Sequence, residues 1–146
     1  MRVPACDRTA RSRAANAGTY VYTAAAIWKK TVYVGSYDGN VYALDAATGD
    51  IRWKRDLGAS IHGAPTVMDG LIYFSTCGTC GHRGSRYAKM GPRSTFALDA
   101  RTGRIRWRFF DGRYSPIVSD GERVYLMGNT RLYGLAPSRR RERRAS

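Results

Sequence analysis

LDAATGDIRW at residues 44–53 returns almost letter for letter as LDARTGRIRW at residues 98–107. A chain that repeats itself is built from stacked copies of one supersecondary unit, so this stretch decides the fold. Working outward, TVYVGSYDGNVYALDA (31–46) leads into the first copy. LIYFSTC (71–77) and then STFALDA (94–100) lead into the second. A third, shorter copy reads RVYLMGNTRLYGLAP (123–137). Each copy is preceded by a short apolar stretch: AAAIWKK (24–30), GAPTVMDG (63–70) and SPIVSDGE (115–122).

Tyr33 and Tyr73 are 40 residues apart, but Asp45 and Asp99 are 54 apart. The second copy therefore carries an insertion after Cys77, over residues 77–93. Without it the period is about 40, the length of a four-stranded propeller blade. Val32, Val34, Val41 and Ala43 alternate with their neighbours at period two, the signature of strands. Asp38-Gly39 lies between two such runs and predicts a hairpin, because tight turns need positive φ. DAATG (45–49) and DARTG (99–103) predict further turns, in which the Asp side chain accepts backbone N–H groups and the Gly takes the left-handed position. No window holds a helical period. The reading is an all-β chain of antiparallel four-stranded blades, at about 24–56 and 64–110, with an incomplete third at 115–137. Residues 1–18 read as a disordered or degenerate segment, and residues 138–146 as a basic disordered tail.

This pattern resembles the PQQ-type β-propeller repeat, in VYVGSYDGNVYALDAATGDIRW and TFALDARTGRIRW, with partial matches in APTVMDGLIYF and SPIVSDGERVYL. The resemblance covers most of residues 19–137. That superfamily includes the quinoprotein alcohol dehydrogenases and the outer-membrane β-barrel assembly lipoprotein of bacteria. It implies a tryptophan-docking motif, carried here by Ala43, Asp45, Thr48, Gly49 and Trp53, and again by Ala97, Asp99, Thr102, Gly103 and Trp107. By position, Trp53 and Trp107 pack between neighbouring blades, with an indole N–H that reaches a carbonyl. On that reading Trp107→Ala costs roughly 3–5 kcal/mol. A closed propeller has about four to eight blades. The chain is therefore expected to be a piece of a longer propeller, or to close a ring with copies of itself through its open blade faces.

The net charge of +14 is partly terminal: residues 138–146 carry +4 and residues 1–18 carry +3, leaving +7 for the core. A basic surface attracts anions of many kinds. No helix that enters a groove and no stacking platform is present, so specific nucleic-acid recognition is not expected. No apolar run approaches the ~20 residues of a membrane helix. The N-terminus is basic and lacks the apolar stretch of a signal peptide. Localisation rests on the resemblance, which implies the cell envelope outside the cytoplasm; a cytoplasmic chain is the alternative.

The candidates for chemistry are few. Cys77-Gly-Thr-Cys80-Gly-His82 lacks the His that must directly follow the second Cys in a haem-attachment site. Three readings stay open: a Cys77–Cys80 disulfide, inert thiols, or a metal site of Cys77, Cys80 and His82 with Cys6 as a conceivable fourth ligand. Arg83, Arg86, Lys89 and Arg93 make the insertion basic, as a solvated loop or an anion-binding edge. RIRWRFF (104–110) reads as a strand with one wet face. Asp38, Asp45, Asp69, Asp99 and Asp120 fall at turns, and His62 lacks a nucleophile partner. The quinoprotein dehydrogenases carry a vicinal Cys pair, a catalytic Asp and calcium ligands; none of these matches a position here, and no cofactor is expected. The function expected is a non-enzymatic scaffold for protein partners. The alternatives are a remnant of a PQQ-dependent quinoprotein dehydrogenase lacking its catalytic residues, or a metal or redox module at the Cys77/Cys80 insertion.

Overall fold

The computed structural model describes residues 19–78, 80, 90–113 and 115–136. The expectations for residues 1–18, for the basic tail, and for Cys6, Arg83, Arg86, Lys89 and His82 lie outside these residues.

Among the described residues, eleven strands form three antiparallel meanders. The first holds β1 (Ala26–Trp28), β2 (Thr31–Gly35), β3 (Asn40–Asp45) and β4 (Ile51–Asp56). The second holds β5 (Thr66–Met68), β6 (Leu71–Ser75), β7 (Thr95–Asp99) and β8 (Ile105–Phe109). The third holds β9 (Val118–Ser119), β10 (Val124–Met127) and β11 (Leu132–Leu135). Pairing is sequential within each sheet. The register repeats: Val32 faces Leu44, Ile72 faces Leu98, and Val124 faces Leu135. A bulge falls at the same place in both full copies, after Ala43 and after Ala97, making Arg52 and Arg106 the extra residues. A bulge adds twist and re-aims the side chains beyond it. The first strands lie beside one another, β1 against β5 and β5 against β9, so the meanders fan outward from that row. This is the arrangement of β-propeller blades.

The period-two pattern explains the packing. In β6, Ile72 and Phe74 point to one side and Tyr73 to the other, and all three are buried. Ile72, Phe74, Phe96 and Leu98 meet Tyr33, Val41 and Ala43 of the first blade, and Ile61 of the connection that follows it, in one cluster. Tyr73, Met68 and Ala97 meet Ile117, Val124 and Leu126 of the third blade in another. A sheet covered on both faces reads as a continuous apolar run, which is why LIYF does not alternate. Each fully buried side chain of this size contributes about 1.5–3 kcal/mol.

The fourth strands depart from the expectation of one wet face. Both sides of β8 are partly wet, and Ile105 and Trp107 are 41% and 38% exposed. The physical reason is position: β8 lies at the outer edge, where the third blade offers three strands among the described residues and covers only part of it. Among the described residues, no helix is long and apolar enough to cross a membrane.

Candidate functional site

The Asp-x-x-Thr-Gly turns build the junction between blades. Asp45 Oδ1 accepts the N–H groups of Ala47 (2.8 Å) and Thr48 (3.0 Å), and Asp99 Oδ1 those of Arg101 and Thr102 (both 3.1 Å). Gly49 and Gly103 donate back to the Asp carbonyls at 2.8 Å, with φ of 77° and 69°. Asp38 and Asp120 serve similarly: Asp38 accepts the N–H of Asn40 and the Tyr42 hydroxyl, and Asp120 accepts the N–H groups of Glu122 and Arg123 and the Tyr125 hydroxyl. Asp69 is itself a turn residue, with φ of 52°.

Trp53 rests on the second of these turns. Its Nε1 donates to Ala100 O at 3.1 Å, and its ring lies so close over Gly103 that a Cβ there would come within 2.6 Å of it. Tyr33 OH donates to the same carbonyl at 2.9 Å, and Arg55 Nε to Gly103 O at 2.8 Å. Three donors from the first blade thus converge on one turn of the second. Trp107 sits differently. It stacks on Phe109 at 5.7 Å and lines an apolar groove of about 380 Å³ with Met68, Leu71, Val124 and Leu135. Where Asp99 stands in the second copy the third has Ala136, so the turn that receives Trp53 has no counterpart for Trp107 among the described residues.

The carboxylates of the turns carry a pH signature. The Arg52 guanidinium beside Asp45 (2.5 Å), with the N–H groups of Thr48 and Ala47, holds that carboxyl well below the usual carboxylate range. Asp120 is held down at about 2 by the N–H of Arg123, the Tyr125 hydroxyl and the N–H of Glu122. Both folded values are depressed from an ordinary value near 3.9. The stabilisation is therefore present above about pH 4 and lost as pH falls through the folded values. The thermal midpoint is expected to hold level from pH 7 to about 5 and to fall between about pH 4 and 2. A midpoint that stays level to pH 2 contradicts this.

At the insertion, Cys77 and Cys80 form a disulfide with Cα atoms 5.3 Å apart. The bond uses both sulfurs, so neither is a thiolate free to ligate a metal or to react, and inert free thiols are not what the structure holds. The flanks are pinned: Cys77 N donates to Ser60 O (2.7 Å), and Thr76 Oγ1 to Pro92 O (2.7 Å). The chain has three cysteines, so unreduced, denatured protein is expected to titrate with one free thiol, and reduced protein with three. Closing so short a loop stabilises by about 2 kcal/mol at most. Three thiols without reductant, in protein prepared under oxidising conditions, contradict the pairing. Arg93 lines a small polar hollow with Asp111, Arg113 and Asn129.

Two features escaped the sequence reading. Tyr22, Tyr37 and His62 form a cluster, with Tyr22 and Tyr37 centroids 5.0 Å apart and Tyr37 and His62 5.7 Å apart. Between the first two blades a groove of about 370 Å³ is floored by Trp28, Tyr33 and Trp53 and edged by Lys29, Arg52 and Arg101. Lys29 and Lys30 standing where the second copy has Asp69-Gly70 was the visible signal for the latter.

Antiparallel four-stranded meanders, locked by a tryptophan on an Asp-x-x-Thr-Gly turn, define a PQQ-type β-propeller repeat protein. The family model described as outer membrane protein assembly factor BamB matches residues 8–143, and the chain belongs to that family. It is also 40% identical over 91 residues to the quinohemoprotein alcohol dehydrogenase of Comamonas testosteroni, covering 58% of this chain and 12% of that one. The crystal structure of that enzyme superposes with a TM-score of 0.51 at 35% identity, over 63% of this chain and 13% of that one. BamB from Moraxella catarrhalis superposes with a TM-score of 0.65 over 84% of this chain and 35% of that one; at 21% identity the likeness is one of fold. The chain spans 12% of the length of the curated relatives it matches.

Proposed function

We propose that this chain is a non-catalytic stretch of a PQQ-type propeller that scaffolds protein contacts in the bacterial cell envelope, outside the cytoplasm. One observation carries the reading: the polar residues of the repeat are spent on architecture. Asp45 and Asp99 each accept two backbone N–H groups, and Trp53, Tyr33 and Arg55 are committed to carbonyls of the next blade. The match to an outer-membrane assembly factor over residues 8–143 supports the envelope and the protein partner.

The identity with quinohemoprotein alcohol dehydrogenases favours a second reading, a remnant of a quinone-dependent enzyme. Such enzymes hold their quinone with calcium, which takes six to eight oxygen ligands. Among the described residues no three of His, Cys, Asp and Glu stand together as a metal site, and the disulfide joins cysteines three positions apart rather than adjacent ones. The described residues thus offer no carboxylate cluster of their own for the calcium, which favours the scaffold reading for this stretch. Titration of the chain with pyrroloquinoline quinone and calcium is expected to give no saturable binding and no dye-linked oxidation of alcohols. Saturable binding with turnover overturns the scaffold reading in favour of the enzyme.

A further inference from the structure

The hairpin between β1 and β2 breaks a pattern the chain otherwise keeps. Its two turn residues are Lys29 and Lys30, with φ of 44° and 59°. At the same turn of the second blade stand Asp69 and Gly70, with φ of 52° and 72°. A two-residue hairpin turn of this kind, with positive φ at both central positions, is one that Asn-Gly and Asp-Gly accept readily. Lysine pairs do so at a backbone cost, and residues held this way cluster at functional sites. Here the strain sets two exposed cations side by side, with Lys29 on the lip of the groove between the first two blades and Lys30 next to it in the chain.

The charges of that groove do not cancel. Arg52 is paired with Asp45. Among the described residues, Lys29, Lys30 and Arg101 meet no carboxylate; Lys29 Nζ lies 4.5 Å over the Trp28 ring. Arg101 is not a requirement of its turn, because the first copy carries Ala47 in the same place and makes the same hydrogen bonds. Below the cations, Trp28 and Trp53 supply a partly exposed aromatic floor, with Tyr33 buried beneath it. We propose that this groove binds a phosphate ester. The guanidinium fork of Arg101 and the two ammonium groups suit the phosphate oxygens. The volume of about 370 Å³ exceeds what a bare phosphate fills, and the rings give the organic part of the ester a surface to cover. A soluble ester and a phospholipid headgroup share this chemistry.

Trp28 and Trp53 report directly on the site through their fluorescence. The full chain is titrated with glycerol phosphate, and separately with phosphatidylglycerol vesicles against phosphatidylcholine vesicles. The combined variant Lys29→Asn, Lys30→Gly, Arg101→Ala removes three charges while placing easier residues in the turn, so its folding is not at risk. Arg131→Ala removes one exposed cation from the third blade as a control for general charge attraction. A saturable change is expected, at least ten-fold weaker in the combined variant and unaltered in Arg131→Ala. A response to glycerol phosphate assigns a soluble ester; a response to phosphatidylglycerol vesicles alone assigns a lipid headgroup. No saturable change with either probe, binding retained by the combined variant, or an equal loss in Arg131→Ala overturns the site.

Discussion

Trp53→Ala is expected to destabilise the chain by about 3–5 kcal/mol in denaturant unfolding, the range for removing a large aromatic from a packed site. Trp107→Ala is expected to cost about 1–2 kcal/mol, in proportion to the smaller area it hides. The repeat alone assigns both residues the same role and the same cost. The structure separates them. The Trp53 indole covers Gly103, donates to Ala100 O and touches Tyr33 with ring centroids 5.9 Å apart. Removing it also strips a partner from a carbonyl that then keeps Tyr33 OH alone. Trp107 is 38% exposed and leans on its own neighbour Phe109. Equal losses for the two variants contradict this account, because they would mean that the receiving turn contributes nothing.

Gly103→Ala tests the same junction from the other side, with an expected loss of about 2–4 kcal/mol. Two costs add. A Cβ at Gly103 meets three Trp53 ring atoms at 2.6–3.0 Å, and overpacking of that kind costs about 1–3 kcal/mol. The φ of 69° adds about 1 kcal/mol for any residue with a Cβ. Gly121→Ala isolates the second cost, since Gly121 has φ of 92° and nothing within 4 Å of the added atom. In the Trp53→Ala background the cost of Gly103→Ala should fall to that of Gly121→Ala. A coupling of about 1 kcal/mol or more is the expected signature of direct contact. Additivity of the two substitutions sinks the idea that ring and turn form one lock.

The fold was legible because the repeat states it twice. LDAATGDIRW and LDARTGRIRW carry turn chemistry, strand alternation and a fixed spacing, all of which are local properties of a chain. The hairpin at Asp38-Gly39 follows from such local rules, whereas the bulges after Ala43 and Ala97 are seen only in the strand register. The wetness of β8 was not legible, because exposure depends on how much of the next blade stands against a strand. The state of Cys77 and Cys80 was open for a similar reason. Two cysteines three positions apart are compatible with a disulfide, free thiols or a metal, and only the fold shows their Cα atoms 5.3 Å apart and bridged.

By itself, the sequence determined the class of fold, the turn residues and the surplus of positive charge, since each depends on neighbours along the chain. Only the tertiary structure decided which tryptophan is locked and which is half free, and that Lys29 and Arg101, 72 residues apart, edge one groove. Packing of one blade on the next brings together residues from different repeats. The energies of such contacts depend on distance in space, which spacing along the chain does not specify.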